Sequence, residues 1–276
     1  MFTRAIVLGM LATMAAPAAA QDPELPPPPK LRELCSERPG LATAVCIVDP
    51  GHLQVELGLA DWTLDRTSAQ REDRIDLGDV LLRYGLGKTT ELQLGWTAYS
   101  HVRTLDRADG SVAIDQGVGD VTIGLKQNLR HPAEGKIGFA MSVLPFVTLP
   151  TGHDGVSDGT WSAGLVLPMS YKIDDTVAIA LSPEVDASAN ESGDGRHLAY
   201  GAAMGFQVEV AQGMRLSPEV QIVRDDDPDD SRTMASASLS FDVRVKKRTQ
   251  VDLQAVAGLN DNTPDIRLLC GVTHKF

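Results

Sequence analysis

From residue 52 to the last residue, apolar and polar side chains alternate, and few folds accept that pattern over so long a stretch. Between Thr249 and Leu259, the residues Val251, Leu253, Ala255, Ala257 and Leu259 stand against Gln250, Asp252 and Gln254. Between Met234 and Val245, Ala235, Ala237, Leu239, Phe241, Val243 and Val245 stand against Ser236, Ser238, Ser240, Asp242 and Arg244. Leu92, Leu94, Trp96 and Ala98 oppose Glu91, Gln93, Gly95 and Thr97, and Val121, Ile123 and Leu125 oppose Asp120, Thr122, Gly124 and Lys126. Successive side chains of a strand point to opposite faces, so this period of two means one apolar and one polar face. A helix of the same sequence would scatter its charges all round. These segments are strands.

The pattern predicts about 12 strands, at 52–65, 75–87, 89–103, 118–130, 135–149, 160–173, 176–188, 196–210, 213–224, 232–245, 248–259 and 264–276. Their connectors differ in character. Gly87-Lys88, 131–134, 174–175, 211–212 and 246–247 are short, whereas 66–74, 104–117, 150–159, 189–195, 225–231 and 260–263 are mostly longer and far more polar. Antiparallel hairpins with short turns at one end and long polar loops at the other follow the plan of an outer-membrane barrel. An even strand number returns the C-terminus to the short-turn side.

Energy decides which face looks out. An open sheet of this size leaves two edges of unpaired backbone groups, costly in lipid, and closure removes both. A soluble barrel would turn its apolar residues inward. Twelve strands enclose more space than such side chains fill, since eight nearly suffice, and inward positions such as Gly201, Ala203 and Gly205 are small. With charges around a wet lumen and aliphatic residues against lipid, the difficulty disappears. The expected fold is all-β: a single antiparallel up-and-down transmembrane β-barrel over residues 52–276. Trp62, Trp96, Trp161, Tyr84, Tyr171 and Phe146 are the candidates for a sparse interfacial belt.

Residues 1–20, MFTRAIVLGMLATMAAPAAA, carry a positive start, a short apolar core and an A-x-A cleavage signal, so a cleaved signal peptide and export are expected. No run of about 18 apolar residues follows, so no helix long enough to span a bilayer is encoded there. Residues 21–51 form a proline-rich N-terminal segment, expected as an extended periplasmic tether, and the sequence leaves open whether it dangles or enters the barrel. Cys35 and Cys46 within it are a candidate disulfide in an oxidising compartment, and Cys270 is then left as a single buried thiol.

The charge balance, 25 basic against 37 acidic residues for a net of −12, argues against nucleic acid as a partner. There is no Walker loop, HExxH or dinucleotide fingerprint, and none of His52, His101, His131, His153, His197 or His274 sits beside a Gly-x-Ser-x-Gly elbow. The chain reads as no enzyme, with no cofactor and no metal. The loop Asp225–Asp230 holds five carboxylates without EF-hand spacing, so a solvated acidic loop is expected rather than a calcium site. Pro145, Pro168, Pro183 and Pro218 fall inside predicted strands, where bulges or a bent wall are expected.

The charges predicted to line the lumen are Glu56, Glu91, Asp120, Glu184, Asp186, Glu209, Glu219, Asp242 and Asp252, with Arg83, Lys126, Arg244 and Arg267. If the pore is open, this excess of acids favours cations or neutral solutes. If it is closed, the same residues pair as a polar core. Phe276, closing an alternating strand, resembles the signal that barrel-assembly machinery reads.

Specific stretches also carry a family likeness. RPGLATAVC (38–46), PGHLQVELG (50–58), ELQLGW (91–96), GDVTIGLK (119–126), LPTG (149–152) and GLNDNTPD (258–265), running on to Gly271 and Phe276, resemble the MetA-pathway phenol-degradation family of outer-membrane proteins. The resemblance covers about residues 35–276 and its motifs are structural. It implies an outer-membrane barrel that passes small, hydrophobic or aromatic solutes by passive diffusion, in contact with membrane lipid, lipopolysaccharide and the barrel-assembly machinery. The alternative is a structural or adhesive barrel with a plugged lumen and no transport.

Overall fold

The structure is a computed structural model that describes residues 31–132, 136–157 and 159–276. The expected signal peptide at 1–20 and the proline-rich stretch up to residue 30 lie outside the described residues. The strands are β1 (Leu53–Arg66), β2 (Gln70–Gly85), β3 (Thr90–Asp106), β4 (Val112–Gly117), β5 (Val121–Arg130), β6 (Gly138–Leu149), β7 (Ser162–Val166), β8 (Met169–Lys172), β9 (Val177–Ala189), β10 (Arg196–Ala211), β11 (Met214–Asp225), β12 (Arg232–Lys246), β13 (Thr249–Gly258) and β14 (Ile266–Lys275). No helix among the described residues is long and apolar enough to cross a membrane.

Every strand pairs antiparallel with its neighbours, and the sheet closes on itself. β14 pairs with β1, aligning Gly58 with Gly271 and Glu56 with Thr273, while β9 pairs with β10 along its whole length. β4 pairs only with β3, as an extension of the wall beyond the ring. β7 and β8 both lie between β6 and β9 and are two halves of one strand, interrupted at Leu167-Pro168. The closed barrel therefore has twelve strands. Closure leaves the ring itself with no edge of unpaired backbone groups, as a membrane-spanning sheet requires, and among the described residues only β4, beyond the ring, keeps a free edge.

The two faces sort as the alternation demands. On β13, Gln250, Asp252 and Gln254 are 1%, 3% and 5% exposed, while Val251 and Leu253 between them are 41% and 60% exposed. Around the barrel, Leu94, Ile123, Tyr200, Met204, Val220, Ile222 and Leu239 are likewise outward and exposed. A continuous apolar exterior over a charged interior inverts a soluble protein. It is stable only where the exterior meets lipid.

Both ends of the described barrel chain lie at the short-turn end, where the Phe276 amide donates to the Leu53 carbonyl at 2.8 Å. One turn there, Gln212-Gly213, joins β10 to β11, and Gly213 takes a φ of 71°, in the left-handed region that glycine enters without steric cost. The Phe276 ring stacks edge-on against His274, with centroids 4.5 Å apart.

Several expectations are corrected. Residues 66–74 and 104–117 are mostly strand: β1 and β2 stay paired out to Arg66 and Arg71, and β3 continues to Asp106 with β4 alongside. Beyond the membrane both faces of a strand are wet, so the ladder continues while the alternation that reveals it stops. Charged pairs stand there instead, Arg71 with Asp73 at 2.8 Å and Arg74 with Asp76 at 2.9 Å. Of the four prolines only Pro168 interrupts a strand. Pro145, Pro183 and Pro218 remain in register with Leu165, Ala202 and Leu239. The register shifts fall elsewhere, at Gly58/Ala60, Asn128/Arg130, Glu209/Ala211 and Arg244/Lys246. Trp96, Trp161, Tyr84 and Tyr171 are exposed, but Phe146 faces the lumen, in phase with Ser142 and Leu144 and against Gly164 and Asp186. Cys270 is half-buried rather than buried, because its strand turns it toward the outer face.

Candidate functional site

The lumen is occupied. Residues 32–50 enter the barrel at the short-turn end and fill that half of it, which settles the position that the sequence leaves open for this part of the segment. The segment has no regular secondary structure, so its backbone groups need partners other than a ladder. Two devices provide for it.

The first is internal. Cys35 and Cys46 form a disulfide across a separation of 11 residues, folding the segment into a closed loop with Leu41 near its tip. The second is the wall, whose polar side chains take the loop's backbone groups one by one. Glu219 of β11 accepts the amides of Leu41 at 2.8 Å and Ala42 at 3.1 Å. Ser182 of β9 donates to the Thr43 carbonyl at 3.1 Å and Ser142 of β6 to that of Val45 at 2.6 Å. Glu91 of β3 accepts the Val48 amide at 2.7 Å, and Gln250 of β13 donates to the Arg38 carbonyl at 2.9 Å. Where the segment leaves, Lys275 of β14 binds the Arg32 carbonyl at 2.6 Å and the Asp49 carboxylate at 3.0 Å.

Charges organise the centre. Arg83, completely buried, donates to Glu91 at 2.9 Å and Glu56 at 3.0 Å, and to the Cys35 and Cys46 carbonyls at 3.0 and 2.9 Å. Glu56 also accepts from the Ser36 hydroxyl at 2.7 Å and the Arg38 amide at 3.0 Å. Lys126, equally buried, pairs with Glu37 of the loop. The Arg38 side chain lies over the paired glycines Gly58 and Gly271, where a Cβ on either would meet it, and reaches Asp252 at 3.3 Å and Asp79 at 3.7 Å. A buried ion must be paired and hydrogen-bonded to be tolerated, and each of these is.

The predicted lumen charges separate into groups. Glu56, Arg83, Glu91, Lys126, Glu219, Arg244 and Asp252 all meet the loop, Arg244 through the Leu34 carbonyl at 3.3 Å. Asp242 faces the lumen but pairs with Arg215 at 2.9 Å. At the long-loop end, Arg267 is held by Asp61 at 2.9 Å, while Glu184 and Asp186 line the lumen beside Leu41. Two residues differ from expectation. Asp120 fastens a loop, accepting the amides of Thr151 and Gly152 at 3.0 and 2.7 Å. Glu209 is exposed at the short-turn rim and accepts the Gly213 amide at 3.1 Å, because the strand there has already passed the end of the loop-filled lumen.

Sequence reasoning missed Gln54, Asp79, Arg215 and Lys275, although they alternate in phase with residues it named. It also missed Glu37 and Arg38, which lie where no period exists to follow. With Arg215, Lys275 and Asp79 included, five bases (Arg83, Lys126, Arg215, Arg244, Lys275) meet six acids (Glu56, Asp79, Glu91, Glu219, Asp242, Asp252) in this half. At this depth the acids exceed the bases by only one.

Past the loop tip, a cavity of about 190 Å³ opens toward the long-loop end, with Leu41, Val223, Met234 and Val256 on its walls and Arg267 at its edge. The acidic loop after β11 is tied by its own neighbours. His197 contacts Asp225 and Asp227, Arg224 binds Asp226 at 2.6 Å, and Arg232 approaches Asp225 and Asp230 at 3.7 and 3.6 Å. The Asp227 carboxylate is held below its ordinary pKa by the backbone amides of Asp229 and Glu191 that donate to it.

This barrel can be set against known proteins. The family model described as "Putative MetA-pathway of phenol degradation" matches residues 36–276. The chain belongs to that family. The match takes in most of the loop that fills the lumen as well as the barrel. Among solved structures, the NanC porin is 10% identical, with 81% of this chain aligned to 100% of that one at a TM-score of 0.50. The CymD monoaromatic hydrocarbon channel is 11% identical, with 82% of this chain and 88% of that one aligned at a TM-score of 0.43. At such identity the likeness to the NanC porin speaks for the fold alone. No curated protein sequence matches this chain.

Proposed function

We propose that this chain is a channel of the outer membrane for small solutes, closed in the described state by its own N-terminal loop. Its short-turn end faces the periplasm, after export and removal of a signal peptide. One observation carries the reading: the wall holds the loop's backbone through a series of polar groups, with Leu34, Ile47 and Val48 the apolar side chains the loop buries. Glu219, Gln250, Lys275, Ser142 and Ser182 make hydrogen bonds to the loop that water can replace one for one when it withdraws. An apolar interface would expose its surface to water on opening and resist withdrawal in proportion to its area. A lumen built this way tolerates both states. The apolar cavity beyond Leu41 suits a small hydrophobic or aromatic solute entering from the long-loop side, moving down its own gradient once the loop is displaced. Lipid and lipopolysaccharide surround the apolar belt, and Phe276 serves the assembly machinery.

The number of bonds on the loop favours the second reading, a structural barrel whose plug never leaves. Planar-bilayer conductance of the refolded full chain separates the two. Brief openings are expected from the wild type and longer-lived ones from Arg38→Ala, which loses the contacts to Asp252 and Asp79. Absence of current from both would refute the channel and leave the structural barrel.

A further inference from the structure

We infer that the barrel wall contains a binding seat for a small organic monocarboxylate, now filled by Glu37 of the chain's own loop, and that free carboxylates of this kind compete with Glu37 and release the loop. The release step rests on the channel reading above; the seat does not.

The inference begins with Lys126. Its ammonium is completely buried, and both of its partners belong to the loop: the Glu37 carboxylate and the Ala44 carbonyl, the latter at 2.8 Å. No wall carboxylate pairs with it among the described residues. Arg83, next to it, differs in this respect, since Glu56 and Glu91 of the wall neutralise it whether or not the loop is present. Glu91 stands in register opposite Lys126, so the two wall carboxylates balance the two wall cations in sum, but the carboxylate in contact with the Lys126 ammonium is the loop's Glu37. A lumen that has lost its loop leaves this ammonium with water in place of its contacting carboxylate, and a free carboxylate can take up the same charge-assisted bonds.

The seat has more than a charge. Around the Glu37 carboxylate, Gln93 of the wall donates to Oε1 at 3.2 Å and Arg83 stands 3.5 Å from the same oxygen, while the loop's own Ala44 amide donates to Oε2 at 2.7 Å and leaves with the loop. Convergent donors and a fixed ammonium are what hold a carboxylate with charge-assisted bonds. Glu91 borders the seat, accepting from the same Gln93 amide that serves Glu37, so the pocket repels a second negative charge. That selects a singly charged anion over phosphate, sulfate or a dicarboxylate. Beyond its Cα, the Glu37 side chain has the size and chemistry of propionate, which is the natural probe.

Two measurements on the full chain test this. In detergent-folded Glu37→Ala the seat is vacant but Lys126 remains. Calorimetric titration should show propionate binding about tenfold more tightly than propionamide, the scale of one hydrogen bond to a charged group. Adding Lys126→Met should remove that preference. Equal binding of the acid and the amide, or a preference that survives Lys126→Met, would overturn the seat. In the wild type, propionate should raise the open probability about tenfold over equimolar chloride, and Lys126→Met should abolish the difference. An open probability that does not respond to propionate would overturn competition with Glu37. Should Glu37→Ala fail to fold, the wild-type measurement decides. Should no current flow at all, the channel reading falls and the titration decides this one.

Discussion

Breaking the Cys35–Cys46 disulfide should unseat the loop about a hundredfold more often, and the figure follows from the span of the cross-link. The bond closes a ring over a separation of 11 residues. In the loop-entropy model, a ring of that length removes about 3 kcal/mol of freedom from the unseated segment at room temperature. The hydrogen bonds from Glu219, Ser182, Ser142, Glu91 and Gln250 are the same with or without it, so the whole term falls on the unseated state. At about 1.4 kcal/mol per decade, that is roughly two decades in the ratio of unseated to seated molecules. The assay need not involve conductance. The Glu37–Arg38 peptide bond lies in the seated loop, and a glutamate-specific protease can reach it only after release. When release and return are fast, cleavage tracks the released population. Cleavage at Glu37 in the Cys35→Ser/Cys46→Ser chain, followed by mass spectrometry, should run about a hundred times faster than in the oxidised wild type. An increase of less than about threefold would refute the reasoning, because it would mean that wall contacts alone set the seating.

Other expectations follow from particular positions. Gly85→Ala would bring a Cβ to 2.1 Å from the Asp49 carbonyl oxygen, a backbone group with little room to move. A cost of about 1–3 kcal/mol is expected from such overpacking, read as a lower unfolding temperature, and an unchanged one would contradict the close approach. Leu253→Arg, on the lipid face in the middle of β13, should cost about 2–4 kcal/mol in bilayer refolding, whereas Val245→Arg near the end of β12 should cost only about 0–1. Equal costs would mean that the outward face does not meet lipid. The Asp227 carboxylate has its pKa depressed in the folded state, so its contribution is present above the unfolded value of about 4 and is lost as pH falls through the folded one. The protection of the Glu191 and Asp229 amides, taken relative to intrinsic exchange at each pH, should therefore be high at neutral pH and fall in acid. Protection that persists to pH 2 would refute the assignment.

Much of this was legible before any coordinates. The strands through Gln250, Asp252 and Gln254, or through Ser236 to Asp242, announce both of their faces. The boundaries failed where the physics behind the pattern ceased: the ladder runs on to Arg66 on one strand and from Gln70 to Asp76 on the next, but outside the membrane nothing requires one face to be apolar. The aromatic character of Phe146 points outward, to an interfacial belt, whereas its phase with Ser142 places it inside. The charges on the wall were mostly found, but not what they are for. Lys126 reads as one more lumen residue until Glu37, 89 residues earlier, is seen on it.

The amino-acid order alone determined the barrel, its strand number and the inversion of its faces, because alternation is a local property: each residue's side is set by its neighbours, and the lipid rewards the whole run. Only the tertiary structure decided that the lumen is closed and by what. The Lys275 contact to Arg32 spans 243 positions, and that of Arg38 with Asp252 spans 214. An aperiodic loop carries no face of its own. Its place is chosen by the shape and charge of a cavity that exists only after distant strands have met.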